Sequence, residues 1–590
     1  MKKLLSAAFL LAALPGATVA QVEKQVEVTK AYVPSLESAS KLAIEPDMTD
    51  TTRMRPEIDY TITPLSVATS LETRPIRPAT VTYWEFNRPL PFYLKVGAGY
   101  PLNSVLDFYA SSQNSGTGYV VGYLNHEGRY ADIRNDFGVK NNSVRMTNRL
   151  GVAAGKYLGQ HLLEGDLGYE NRLYHRYGGY LSASPDLVGS LLRPGSMIDF
   201  SDVNAALRFG DDFQNLERTN FEVALHGGLF FDHSYGIDYR NKARQSSFGA
   251  SARVARSLGR HRFSLEAGYE RLSGQKAIDG YRQQTVHAAA RYGVSGGIVE
   301  LEAGADYFHD GVRGRRNENY VIPFVRLDFD LGTPGLHPFL EFDGGVRDNG
   351  YRSLTRQNPY VENPLWLSKS SVDYNGRFGI GGDLWDDRFD YRVYAAFSVH
   401  DNHLFWYGEM LPEAAQTEAA GRYFSGQIQP VQARQTVTSF HGEAIWRPVG
   451  ALRVDLGLHG YIYNDDNVWI DGRKVSPGSG EPAFRANVGL RYEGRRIAFG
   501  VKSLFESPRK WTSVEEELLS EEGSVAAVRR FGTFTAPFAI DLRVDFEWRF
   551  ARRVALFAEG FNLANRRLYE YPWYPESGAG FIVGIRANFR

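Results

Sequence analysis

The sequence predicts an all-β fold: a closed antiparallel transmembrane β-barrel of about 22 strands behind a short extended N-terminal periplasmic arm. Three observations predict it. Segments of about ten residues alternate apolar and polar side chains, the length a strand needs to cross a bilayer at a tilt. Tight and long connections take turns between those segments. After the leader, no apolar run approaches the roughly 20 residues of a spanning helix. Composition agrees, with 34 tyrosines, 36 phenylalanines, 9 tryptophans and 60 glycines in 590 residues. The 67 basic side chains against 68 acidic ones leave a net charge of −1 and no basic footprint for nucleic acid. The absence of cysteine excludes disulfides, thiol nucleophiles, iron–sulfur clusters and cysteine zinc sites.

The N-terminus reads as an export signal. Met1-Lys2-Lys3 is basic, Leu4 to Leu14 is apolar, Pro15-Gly16 breaks the run, and Ala17-Thr18-Val19-Ala20 offers small residues for cleavage before Gln21. Residues 1–20 are therefore assigned as signal peptide, 21–91 as the arm and 92–590 as the barrel. Prolines at 34, 46, 56, 64, 75, 78, 89 and 91 punctuate the arm and suit an extended chain rather than a packed domain.

From Phe92 onward each strand declares itself by its period of two. In Asp541–Phe550, Leu542, Val544, Phe546, Trp548 and Phe550 fall on one face, opposite Asp541, Arg543, Asp545, Glu547 and Arg549. Leu452, Val454, Leu456 and Leu458 alternate with Arg453 and Asp455, and Phe484 to Tyr492 alternate with Arg485 and Arg491. Val325, Leu327, Phe329 and Leu331 alternate with Arg326, Asp328 and Asp330. Candidate strands start near 92, 103, 118, 143, 161, 197, 219, 243, 260, 281, 297, 318, 336, 370, 388, 433, 451, 481, 495, 536, 552 and 579. Tight turns fall at Leu258-Gly259-Arg260, Ser295-Gly296-Gly297, Gly332 to Gly335, Asp386-Asp387, Pro448 to Gly450 and Glu493 to Arg495. Long polar links are expected at 348–366, 401–433 and 506–534, the last carrying a short helix around Val514 to Leu519.

A barrel this wide is not filled by its own inward side chains, so its lumen is the functional question. Arg326, Asp328, Asp330, Arg453, Asp455, Arg485, Arg491, Asp541, Arg543, Asp545, Glu547 and Arg549 are the candidate pore-lining residues. Their mixed signs predict pairing across the wall and no strong ion selectivity. Other chemistry is thin. His400 and His403 are read as facing outward to a polar loop, not as metal ligands. Asn464 to Asn467 and Asp471-Gly472 fit Asx-rich turns better than a calcium site. Phe378 to Gly382 fits close strand packing. No serine–histidine–acid or paired-carboxylate constellation can be picked out, so neither catalysis nor a cofactor is expected.

Phe581, Val583, Ile585 and Phe589 form the apolar face of the last strand, which resembles the C-terminal signal read by barrel assembly machinery. Upstream, Val554 to Tyr571 resembles the penultimate strand and loop of TonB-dependent receptors, with Phe561, Asn562, Leu563, Asn565, Tyr571, Pro572, Gly578 and Gly580 filling the family's places. That resemblance implies a receptor-type barrel in the outer-membrane lipid and a periplasmic energy-transducing partner, with Val26-Glu27-Val28-Thr29 as its candidate coupling segment. Residues 21–91 lack the family's plug motifs. The expected function is passage or binding of a small polar solute. The alternative is a structural or assembly barrel that binds envelope partners such as a surface lipoprotein.

Overall fold

The computed structural model describes residues 91–589, apart from 113–115, 139, 180–196, 235–241, 362–368, 411–425, 466–467, 476–479 and 522–523. The expected leader, the arm up to residue 90 and the Val26–Thr29 segment lie outside the described residues. The main sheet has 24 strands, of which 22 form a closed antiparallel barrel and two a hairpin attached to it. Closure is by the first and last strands: Phe92–Tyr100 runs antiparallel to Gly580–Phe589, with Phe92 opposite Phe589 and Tyr100 opposite Phe581. The Phe92 and Phe589 rings stack there at 5.4 Å. A closed wall leaves no backbone donor or acceptor at an edge, which is what an apolar solvent demands.

The period-two segments become strands because each can give one whole face to oil. Phe546, Trp548 and Phe550 are 43, 46 and 51% exposed along Ala539–Ala551, as are Leu456 and Leu458 at 44 and 57% on Leu452–Asn464. Such a surface is tolerable only against lipid. Turns at one end are short. Gly259 and Gly297 hold φ of +60° and +67°, the left-handed backbone that a two-residue turn requires. The other end carries the long connections.

Three expectations are corrected at that loop end. The described residues of the link 401–433 are strand: Phe389–Met410 has 22 residues and Gly426–Val449 has 24, far beyond the ten or so that span a bilayer. Paired from Phe389–Trp446 to Met410–Gly426 with one register shift between His400 and His403, they rise from the membrane as a ribbon. The link 506–534 is likewise a hairpin, Arg509–Glu521 against Ser524–Ala536. The helix expected around Val514 is therefore a strand, whose Ser513–Glu515 also pairs in parallel with Gly408–Met410. Two flanking strands offer more backbone partners than an isolated helical turn, and tertiary pairing overrides the helix propensity of a Glu/Leu run.

The packed interior lies at the loop end. Phe405, Val468, Ile470, Val475 and Val514 form a small core under the ribbon. Asp471 and Gly472, both at positive φ, turn Val468–Ile470 back on Arg473–Val475, as the Asx-turn reading expects. A larger cluster of mostly aromatic residues occupies the mouth.

Candidate functional site

The mouth is built from connections that fold inward. The chain after His337–Arg347 forms one short helix, Tyr351–Gln357, shaped by its own polar residues. Asp348 accepts from the Gly350 amide at 2.9 Å and the Ser353 hydroxyl at 2.8 Å, while Asn358 accepts from the Tyr360 amide at 2.9 Å to end it. Tyr351, Leu354 and Thr355 form its buried face, at the three- and four-residue spacing of one helix side.

Arginines bolt that helix to the inner wall. Arg352 reaches Asp202 at 2.6 Å and also bonds Asn204; Arg356 bridges Asp202 at 2.9 Å and Glu170 at 3.1 Å. In return, Arg172 donates to the Thr355 carbonyl at 3.0 Å, and the Tyr351 hydroxyl donates to Asp232 at 2.7 Å. Asp202 is 1% exposed, so its charge is held by two guanidinium groups rather than by water.

The last connection, between Val554–Phe561 and Gly580–Phe589, closes over the helix. Asn562 staples it, donating to the Arg566 and Ser577 carbonyls at 2.8 and 3.0 Å and accepting from the Arg566 amide at 3.0 Å. Asn562, Asn565 and Trp573 all hold positive φ, which lets this long connection double back. It delivers Tyr571 and Tyr574 into a cluster with Tyr174, Tyr177, Tyr351 and Tyr360. Tyr574 stacks on Tyr360 at 3.9 Å and meets Tyr177 edge-on at 5.0 Å. Tyr177 donates to the Pro575 carbonyl at 3.0 Å, Tyr574 to that of Gly426 at 3.2 Å, and Tyr571 to that of Gln357. Gly178 makes room: a Cβ there would lie 2.4 Å from the Tyr574 ring. Burial pushes the Tyr360 and Tyr571 hydroxyls far above their ordinary range, so they remain neutral donors.

Below the mouth the residues expected to line a pore form ion pairs, largely with one another. Arg453 meets Asp455 at 2.7 Å, Arg543 meets Asp541 at 2.7 Å and Arg549 meets Glu547 at 2.7 Å, each two residues along one strand, and the last two also pair across strands, Arg549 with Glu493 and Glu547 with Arg586. Others do cross: Arg485 reaches Glu506 at 2.7 Å, and Arg491 pairs with Asp545 two strands away. Gly500 lies between those two in register and permits the reach, because a Cβ there would sit 2.2 Å from the Asp545 carboxylate. Arg326 comes within 4.0 Å of Glu341. Asp328 lies on its strand beside Glu300, but Asp330 stands past the strand end and caps the turn, accepting from the Gly332 amide at 2.9 Å. That position is corrected from wall to turn.

His400 is corrected too. It does not face outward to a loop: its Nδ1 lies 2.6 Å from Asp373, which also pairs with Arg347 at 2.8 Å. Among the described residues no group of three metal-ligating side chains assembles. Phe378 to Gly382 packs closely as expected, Gly379 leaving a Cβ only 2.3 Å from the Val393 carbonyl. Phe581, Val583, Ile585 and Phe589 all face outward, 39 to 50% exposed.

No family description and no curated protein matches the chain. Solved structures do. The FrpB iron transporter of Neisseria meningitidis (F5-1 variant) superposes with a TM-score of 0.63 at 10% identity, covering 85% of this chain and 82% of its own. FpvA of Pseudomonas aeruginosa bound to pyoverdine gives 0.59 at 12%, over 85% and 79%. The copper transporter OprC gives 0.57 at 14%, over 84% and 82%. In fold, the chain is similar to these outer-membrane receptor and transporter barrels. The likeness is one of architecture, and it agrees with the resemblance read in residues 554–580.

Sequence reasoning missed Asp202, Arg352, Arg356 and the tyrosine cluster. The one available signal was density: Tyr569, Tyr571, Trp573 and Tyr574 crowd a single connection whose prolines and glycines mark it as looped.

Proposed function

We propose that the chain is an outer-membrane transport barrel, exported by a cleaved signal, whose mouth is held shut by its own connections and opens to admit a small polar solute. The carrying observation is the Asp202–Arg352–Arg356 lock joined to the Tyr360–Tyr574 stack, which together cross the wide end of a closed barrel. Below it, Arg453, Asp455, Arg485, Arg491, Asp541, Arg543, Asp545, Glu547 and Arg549, with Arg326 and Asp328, line the water-filled interior. Their paired charges support passage of polar solutes without strong selection by sign. The similar folds belong to proteins described as an iron transporter, a copper transporter and a receptor bound to pyoverdine, which makes a metal ion or its chelate the first class of solute to test. The apolar face of Phe581, Val583, Ile585 and Phe589 serves as the signal for the assembly machinery, and the arm meets an energy-transducing partner.

Single-channel recording in planar bilayers tests this reading, with and without residues 21–90. Full-length chain is expected to conduct rarely, and Arg352→Ala/Arg356→Ala to show long open events. A barrel that stays silent in every form contradicts transport.

A second reading has its own observation. The 22- and 24-residue strands and the hairpin at 509–536 build a wall beyond the membrane, and among the described residues Ser524–Ala536 has one sheet neighbour only. Such an edge suits a protein partner, a surface lipoprotein for example, that adds a strand. Stoichiometric co-purification of a partner, lost on deleting 509–536, would favour it.

A further inference from the structure

Six consecutive strands, from Asn220–Asp232 to Glu318–Phe329, carry an outward charge pattern that transport does not use. Register fixes the side chains that share that face. Phe248, Leu265, Val286, Tyr307 and Val321 are 50, 63, 41, 41 and 62% exposed and mark the outward set. Arg244 shares the parity of Phe248 on its strand, Arg271 stands directly opposite Phe248, and Arg282 opposite Ser273 of the same outward set. Arg313 extends the row one strand further, its amide donating to the Arg282 carbonyl at 2.8 Å.

Every acid on these six strands points inward: Glu222, Asp232, Glu266, Glu270, Glu300, Glu302, Asp306, Asp310, Glu318 and Asp328 all fall at the opposite parity. The outward set between the arginine row and the tight turns is apolar or neutral until Arg256, near the far end. Arg244, Arg271, Arg282 and Arg313 are exposed, and none forms an ion pair among the described residues. Arg244 lies over the Phe231 ring at 5.2 Å, flat against the same surface. Guanidinium groups placed at the upper border of an oil-facing surface, with no carboxylate beside them, need an anion from outside the protein. An anion there must tolerate a bilayer boundary, and the apolar band directly beneath suits acyl chains.

We infer that this row binds the phosphorylated headgroup of a membrane lipid, its chains lying on Phe248, Val286, Tyr307 and Val321. The inference rests on the barrel standing in a membrane, though not on what passes through it. Basic residues at a membrane surface attract anionic lipid, and the planar fork of arginine matches phosphate oxygens two at a time.

Native mass spectrometry of the full chain in neutral detergent tests this, with three probes: bisphosphorylated lipid A, the same lipid fully dephosphorylated, and inorganic phosphate. The wild-type chain is expected to retain the phosphorylated lipid about tenfold or more over the dephosphorylated one. Arg244→Gln/Arg271→Gln/Arg282→Gln/Arg313→Gln should lose that preference, whereas Arg256→Gln at the other end should keep it. Heat-shifted gel mobility reports whether each variant is a folded barrel, and Arg271→Gln/Arg282→Gln serves if the fourfold change does not fold. Equal retention of both lipids, or an unchanged preference in a folded variant, overturns the inference. Inorganic phosphate bound as well as the lipid would overturn it in favour of a free anion. Channel recordings of the same variants keep the two proposals separate: lost lipid preference with unaltered conductance leaves transport untouched.

Discussion

Asp202 ties the helix of the mouth to the inner wall through two arginines. It is buried and shared by Arg352 and Arg356, so removing it takes a carboxylate from both and leaves Arg352 with Asn204 and Arg356 with Glu170. The two guanidinium groups are 25 and 43% exposed, so solvent screens the loss and it falls below that of a fully buried pair. Asp202→Ala is therefore expected to release the helix while leaving the wall intact, seen as a several-fold rise in open-channel time at unchanged barrel melting temperature. Gly500 is the matching case below the mouth. Gly500→Ala should push Asp545 away from Arg491 and destabilise the barrel by about 1–3 kcal/mol, read as a lower melting temperature in detergent. Gly345→Ala, where a Cβ meets nothing within 4 Å, should leave it unchanged. Neither role was legible in the sequence. Asp202 gains its meaning from a partner 150 residues away, and Gly500 from an ion pair that reaches across it between its two flanking strands; no local pattern encodes such pairings.

Strands were the most legible elements, and for a physical reason. Lipid outside and water inside impose opposite chemistry on alternate residues, so the wall writes its period directly into segments such as Asp541–Phe550. Starts expected at 103, 161 and 318 coincide with those of Asn103–Ser111, His161–His175 and Glu318–Phe329. The start expected at 433 lies inside Gly426–Val449, because above the membrane both faces see water or other protein and the alternation lapses. The run Val514-Glu515-Glu516-Glu517-Leu518-Leu519 misled for a related reason. Its local preference is helical, and what holds it extended is pairing with Gly408–Met410 and Ser524–Ala536. Val514→Pro removes an amide from that hairpin and should let protease cleave within 509–536, while the gel mobility of the barrel stays that of the folded form. Cleavage equal to wild type would mean that the hairpin is held by other contacts.

At the scale of the whole molecule, one constraint organises the rest. A wall of 22 strands encloses more space than its inward side chains fill, and the long connections at one end fold back into that space. The strand count and the sidedness of the turns were readable, since both follow from alternation and from connection length. That the connections pack into a tyrosine-rich cover was not, because loop side chains answer to neighbours brought together only once the barrel closes. The wall itself is the claim on which gate, lumen and lipid row depend. A chain without native cysteine allows its direct measurement: single cysteines from Asp541 to Phe550, each spin-labelled in liposomes and probed with oxygen and with a water-soluble nickel chelate. Labels at 542, 544, 546, 548 and 550 should favour oxygen and those between them the chelate, in strict alternation. Labels equally open to the chelate at both parities would contradict a wall between oil and water.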